Sequence, residues 1–213
     1  MSRHRLTGES DHVHASPQRI KKLSDASRLL TQVGEADLAR LLALRGDEDI
    51  LDLGSGTGFY TDHIAALTTG AVYALELLPQ MNAHYRERGL PANVRLLQGD
   101  MTALPIEDTT GSDPRQETHD LLRPTSVDVA CTIATWHEIE GRLDVVGVAS
   151  VLRPKGRLLV VDWRTDPDGW DNGPPRDERF SSKQVVSTIA SHFTTTSVEH
   201  LGRYMYAIKA VLS

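Results

Sequence analysis

Apolar residues recur along this chain in two rhythms, and the changes between them mark its elements. Over residues 18–30, Ile20, Leu23, Ala26, Leu29 and Leu30 fall at helical spacing, and residues 35–44 repeat it with Leu38, Leu41, Leu42 and Leu44. Two helices are therefore expected ahead of the first strand. Short apolar runs at 49–53, 71–76, 94–98, 127–132 and 157–162 then read as strands, separated by helical stretches at 58–68, 79–88 and 140–152. Buried strands alternating with helices predict a parallel sheet covered on both faces. Arg153-Pro154-Lys155-Gly156 is a turn that stops the last of those helices and launches the fifth strand. Residues 181–192 look helical, and 194–199 and 204–211 read as two closing strands with a short link. The whole predicts an α/β fold: a doubly wound, seven-stranded, mostly parallel sheet with a C-terminal antiparallel hairpin.

Three stretches lack a buried face. Residues 1–17 are polar, carry His4, His12 and His14, and read as a flexible N-terminal arm. Residues 107–126 form an insertion too long for an ordinary link. Residues 164–180 follow the fifth strand and so belong at the carboxyl edge of the sheet, where they suit a lid. A single domain is expected over 18–213, with a helical cap at 18–45. At 213 residues the chain is long enough to bury its own core.

Composition narrows the chemistry. A net charge of −6 gives no general attraction to phosphate backbones, so a small or neutral partner is favoured over nucleic acid. One cysteine allows no internal disulfide and no cysteine-built zinc site, and the three N-terminal histidines lack the neighbours to complete a ligand set, so no metal is expected. No apolar run approaches the roughly 20 residues of a spanning helix, and there is no signal-peptide core; a cytoplasmic protein is expected.

The most informative run is Asp49-Ile50-Leu51-Asp52-Leu53-Gly54-Ser55-Gly56-Thr57-Gly58, a short strand opening directly into a glycine loop. Glycines there let the backbone approach a nucleoside-bearing cofactor. About twenty residues further on, Glu76 closes the next strand, where a carboxylate can accept both ribose hydroxyls. A dinucleotide fingerprint would place its third glycine at position 59, but Phe59 stands there and Gly58 comes one residue early. A sulfonium amino acid has no pyrophosphate to seat on a helix N-terminus, and its ammonium group suits Asp52, directly or through water.

This loop, Glu76, the pair Gly99-Asp100 after the third strand, Val127-Asp128-Val129-Ala130 opening the fourth, and Leu152-Arg153-Pro154-Lys155-Gly156-Arg157-Leu158 before the fifth together resemble the class I S-adenosylmethionine-dependent methyltransferases, in the family's order. The segment Ile133-Ala134-Thr135-Trp136-His137-Glu138-Ile139, with Asp162-Trp163-Arg164, Gly173-Pro174-Pro175 and Arg179, is similar to small prokaryotic ubiquinone/menaquinone-biosynthesis-type members. The resemblance implies a Rossmann-like fold, S-adenosylmethionine as cofactor and S-adenosylhomocysteine as product. It also implies a cofactor site of Asp52, Gly54, Ser55, Gly56, Gly58, Tyr60, Glu76, Leu77, Asp100, Met101, Thr132 and Ala134. Asp100 would take the adenine amino group with Met101 on the ring, and carbonyls at Thr132 and Ala134 would hold the ammonium group. The insertion at 107–126 departs from the family, which has a brief turn there.

Each position also has a plain structural reading. Asp52 could merely cap the loop, and Asp100 could be the N-cap of a helix over Thr102-Ala103-Leu104; Tyr60 and Thr61 could touch the methionine moiety, with ordinary packing the alternative for Tyr60. His137 is the one histidine placed by motif near the reactive methyl; it is either a general base for an acidic acceptor or a hydrogen-bonded core residue. Trp136, Trp163 and Trp170 fall near the carboxyl edge and could wall an acceptor pocket, with core packing the alternative for Trp163. Arg176 and Arg179 read as a solvated loop, and Cys131 as a buried small residue rather than a nucleophile. Methyl transfer to a small molecule is the expected function. A non-catalytic cofactor-binding protein and a nucleic-acid methyltransferase are the alternatives, while an arsenite-type acceptor is disfavoured by the lone cysteine.

Overall fold

The computed structural model of the chain describes residues 15–104, 122–166 and 173–213. Most of the expected N-terminal arm, most of the 107–126 insertion, and the centre of the 164–180 segment with Trp170 lie outside those residues.

Seven strands form one sheet in the order β3-β2-β1-β4-β5-β7-β6. They are β1 (Ile50–Leu53), β2 (Val72–Glu76), β3 (Val94–Gln98), β4 (Val127–Ile133), β5 (Leu152–Trp163), β6 (Phe193–Leu201) and β7 (Met205–Leu212). β1 to β5 pair in parallel, and β7 runs antiparallel to both β5 and β6. β1 is buried at all four positions, which is why it reads as an unbroken apolar run interrupted only by Asp52. β6 lies at an edge and alternates instead, with Thr194 exposed beside buried Phe193.

The helices are α1 (Pro17–Leu23), α2 (Arg28–Thr31), α3 (Glu35–Leu42), α4 (Phe59–Ala65), α5 (Pro79–Arg88), α6 (Val145–Val151) and α7 (Ser182–Ile189). One sheet face packs Leu51, Leu53, Val160 and Ile208 with α6 and α7; the other packs Ile50, Val129, Cys131 and Val161 with α3, α4 and Tyr85 of α5. No helix among the described residues is long and apolar enough to cross a membrane.

Three elements differ from the sequence reading. The single helix expected over 18–30 is two, because Asp25 turns back to accept the Ser27 N–H at 2.8 Å, a local bond that competes with helix continuation. The helix expected at 140–152 begins only at Val145, capped by Asp144, whose carboxylate accepts the Gly147 N–H at 2.9 Å; Glu140 and Gly141 before it have positive φ and cannot continue a helix. β5 starts at Leu152, opposite Val127, and residues 153–156 make a wide excursion before Arg157 rejoins opposite Val129. The expected turn is thus real but sits inside the strand, where Arg153 bridges Asp49 at 2.8 Å and Asp128 at 2.5 Å.

Candidate functional site

The sheet reverses its winding between β1 and β4, and a cleft opens at the carboxyl ends of β1, β2 and β4, the position where open α/β sheets take ligands. It holds about 900 Å³ of space open to solvent. Of the residues expected to hold the cofactor, Asp52, Gly54, Ser55, Gly56, Tyr60, Glu76, Leu77, Asp100, Met101 and Ala134 line it. Gly58 and Thr132 are not on its wall: Gly58 faces the ring of Tyr85, and Thr132 is enclosed in β4.

The glycine loop is built by three different constraints. All three glycines have positive φ, but a Cβ at Gly54 would meet Thr135 Cγ2 at 2.3 Å and one at Gly58 would meet the Tyr85 ring at 2.2 Å. Only at Gly56 is the neighbourhood open, with Leu23 Cδ1 at 3.9 Å. Gly56 is thus the position where the absence of a side chain leaves cleft volume rather than room for the protein itself.

Glu76 anchors this loop. Its Oε2 accepts the Gly56 N–H and its Oε1 the Leu78 N–H, each at 2.8 Å. Burial raises its pKa, against the lowering effect of the two N–H bonds. Asp52 is 2% exposed, accepts the Thr61 hydroxyl at 2.6 Å, and lies 4.0 Å from the Cys131 sulfur. Desolvation pushes its pKa up from the ordinary 3.8 to about 6, with Thr61 and Arg28 opposing and Glu76 adding to the rise. Cys131 is buried as expected, and burial with the nearby Asp52 raises its pKa well above the ordinary thiol value.

A group whose proton is held more tightly in the native than in the unfolded state loses stability as pH rises through the native value. Asp52→Asn is therefore expected to stabilise the unliganded fold at pH 8 by on the order of 1–3 kcal/mol, a gain that fades below about pH 4. Thermal melts at the two pH values check it, and equal shifts at both would contradict the assignment.

Side chains the sequence reading did not identify complete the wall. Arg28 is buried there, donating to the Leu23 carbonyl at 2.7 Å and to Gln32 Oε1 at 3.1 Å, and stacking 4.6 Å above the Tyr60 ring. Desolvation lowers its pKa, against the charges of Tyr60, Glu138 and Asp52. Arg19 and Leu23 reach the wall from α1, which has no buried residue of its own, and Arg19 donates to Glu138 Oε2 at 2.8 Å. A lone arginine on a short polar helix carries no sequence signal for such a role. Asp100 accepts both the N–H and the hydroxyl of Thr102 on one oxygen, closing a turn rather than capping a helix, since residues 101–104 are not helical, and it also lines the cleft.

Ala134 takes a left-handed φ of 56°, a strained setting for a residue with a Cβ, and its N–H donates to the Val161 carbonyl at 2.8 Å. A 3-10 turn over Trp136–Ile139 follows. His137 is 8% exposed and lies behind the wall, with Nδ1 at 3.1 Å from Asp162 Oδ1, while its neighbours Glu138 and Ile139 face the cleft. Burial works against its charge, but the Asp162 carboxylate and its hydrogen bond, then Glu138 and Glu178, outweigh it and raise the pKa.

The tryptophans correct the idea of an aromatic-walled pocket as far as they are described. Trp136 is wholly buried in the core on one sheet face and Trp163 in the core on the other, and neither lines the cleft. Their large apolar rings gain more from core contact than from a wall open to water. Arg179 is likewise not solvated: it is buried, donates to the Pro174 and Arg164 carbonyls at 2.8–3.1 Å, and sits 5.8 Å above the Trp163 ring. It fastens the post-β5 segment to the sheet, because backbone carbonyls there need a donor.

Residues 50–112 match a family model described as a methyltransferase domain. An uncharacterised methyltransferase of Mycobacterium tuberculosis is 30% identical in an alignment that covers 67% of this chain and 55% of that one, so the chain spans about half the length of this relative. A protein-L-isoaspartate O-methyltransferase of Anaeromyxobacter is 44% identical over 69 residues, 30% of this chain and 28% of its own. A crystal structure of a SAM-dependent methyltransferase from Aquifex aeolicus superposes with a TM-score of 0.78 at 25% identity, covering 94% of this chain and all of that one.

Proposed function

We propose that this chain, which belongs to the class I S-adenosylmethionine-dependent methyltransferases, moves the cofactor's methyl group to a small-molecule acceptor and releases S-adenosylhomocysteine. The observation that carries the reading is a cleft at the sheet's switch point whose wall gathers charges of both signs, Asp52, Glu76 and Asp100 with Arg28, beside a glycine loop open at Gly56. Asp52 and Arg28 suit the ammonium and carboxylate of an amino acid, Glu76 the ribose hydroxyls, and Asp100 with Met101 and Leu77 the adenine.

The bound cofactor supplies an electrophilic methyl on a cationic sulfur. The protein's share of the work is alignment: the rigid Gly54–Thr135 contact and the Glu76 clamp hold the loop in one place, so that the acceptor meets the methyl in line. The four carboxylates of the wall, Asp52, Glu76, Asp100 and Glu138, outnumber its two guanidiniums, Arg19 and Arg28, which opposes a nucleic-acid acceptor. An anionic isoaspartate acceptor, as in the name of the Anaeromyxobacter relative, is opposed on the same ground.

Isothermal titration with S-adenosylmethionine and S-adenosylhomocysteine is expected to give saturable binding of both; heat of dilution alone for either would refute the cofactor assignment. The enclosure of Trp136 and His137 is also what a non-catalytic cofactor-binding protein on this fold would show. Methyl uptake into added acceptors separates the two.

A further inference from the structure

We propose that Glu138 is a catalytic residue that faces the acceptor and receives the proton of an uncharged N–H or O–H donor carried on an apolar body. The inference rests on the cofactor reading above, which accounts for Asp52, Glu76 and Asp100 among the wall's carboxylates and leaves Glu138 without a task.

Its place in the cleft decides the role. Glu138 stands on the turn after β4 and lines the same cleft as Arg28 and Glu76. With the cofactor's amino-acid end at Arg28 and its ribose at Glu76, the sulfonium would lie between them, and the turn after β4 would present Glu138 toward the methyl. Leu23, Tyr60, Ile133 and Ile139 line the same cleft and give it apolar surface, which fits the body of an aryl amine or phenol.

The turn that presents Glu138 is held from behind. Asp162 fixes His137 Nδ1, Thr135 donates to the Gly54 carbonyl at 3.2 Å, and His137 Nε2 lies 4.0 Å from Glu138 Oε1. His137 is on this view a positioning residue, not the base. Arg19 occupies the carboxylate's other oxygen from a helix with nothing buried, so an entering donor can displace it without unpacking the core. Anionic acceptors meet an excess of carboxylates and are excluded.

In the reaction the acceptor's lone pair forms the new bond to the methyl carbon, the carbon–sulfur bond breaks with its electrons remaining on sulfur, and the acceptor's proton passes to Glu138 and from there to water. No oxidant or reductant is needed.

The test uses the full chain with labelled S-adenosylmethionine and three probes: aniline, phenol and benzoate. Methyl uptake is expected into aniline or phenol and not benzoate, and Glu138→Gln should lower it by roughly 100-fold or more while titration shows the cofactor's Kd essentially unchanged. Labelling of benzoate, or of none of the three, overturns the acceptor class; full activity of Glu138→Gln overturns the residue's role. If native protein binds no cofactor, the cleft assignment itself falls and takes this inference with it. Should Glu138→Gln fail to fold, Arg19→Gln carries the test. Releasing the clasp on Glu138 is expected to lower the acceptor's KM several-fold, and an unchanged or raised KM overturns the proposal.

Discussion

Gly56→Val is expected to raise the Kd for S-adenosylmethionine by about 100-fold or more, equivalent to roughly 3 kcal/mol of binding energy, while leaving the protein folded. Among the described residues, its two chain neighbours apart, a Cβ at this position meets only Leu23 Cδ1, at 3.9 Å, so the new side chain finds space without displacing the core. That space is the cleft. At a φ of +57° a β-branched residue also costs about 1–2 kcal/mol of backbone strain, and relief of that strain would move the N–H that Glu76 holds at 2.8 Å. Titration of the variant beside a thermal melt separates the two effects. Unchanged affinity would show that the loop is not the cofactor's seat.

Gly58→Ala, two residues away, should do the reverse. A Cβ there would lie 2.2–2.4 Å from three atoms of the Tyr85 ring, and the ring is pinned in the core with its hydroxyl donating to Asp62 at 2.6 Å. Overpacking at a positive φ is expected to cost about 2–4 kcal/mol, a fall in Tm of roughly 5–15 °C for a chain of this size. Cofactor affinity of the fraction that folds should change little, since Gly58 is not on the cleft wall. Tyr85→Ala in the same chain should cost less than the two separate losses combined, because the clash and the ring disappear together. A native Tm for Gly58→Ala would mean that the junction of the loop with α5 is packed otherwise than described.

The two glycines look alike in the sequence and are predicted to fail in different ways, which shows where sequence reading stops. A positive-φ loop after a buried strand is legible from Gly-x-Gly-x-Gly alone, since only glycine adopts that backbone freely. What each missing Cβ makes room for depends on residues far along the chain: Thr135 for Gly54, Tyr85 for Gly58, and the open cleft for Gly56. The same limit explains Arg179 and the tryptophans. Their composition marked a polar loop and an aromatic edge, but burial against Trp163 and the core on either sheet face was decided by which strand each follows and which face it meets.

Local patterning by itself determined the succession of elements in this protein: continuous buried runs, helical stripes between them, the glycine turn, and an acid closing the second strand. These are properties of neighbouring residues, enforced by backbone sterics and by the need to bury one face, so they survive in one dimension. Only the tertiary structure decided that α1, without a buried residue, brings Arg19 to Glu138 across 119 positions, that Arg28 and Asp52 come to line one cleft, and that His137 turns away from the cleft to Asp162. Charge pairing and burial in a shared cleft are set by distances through space, and no spacing along the chain encodes them.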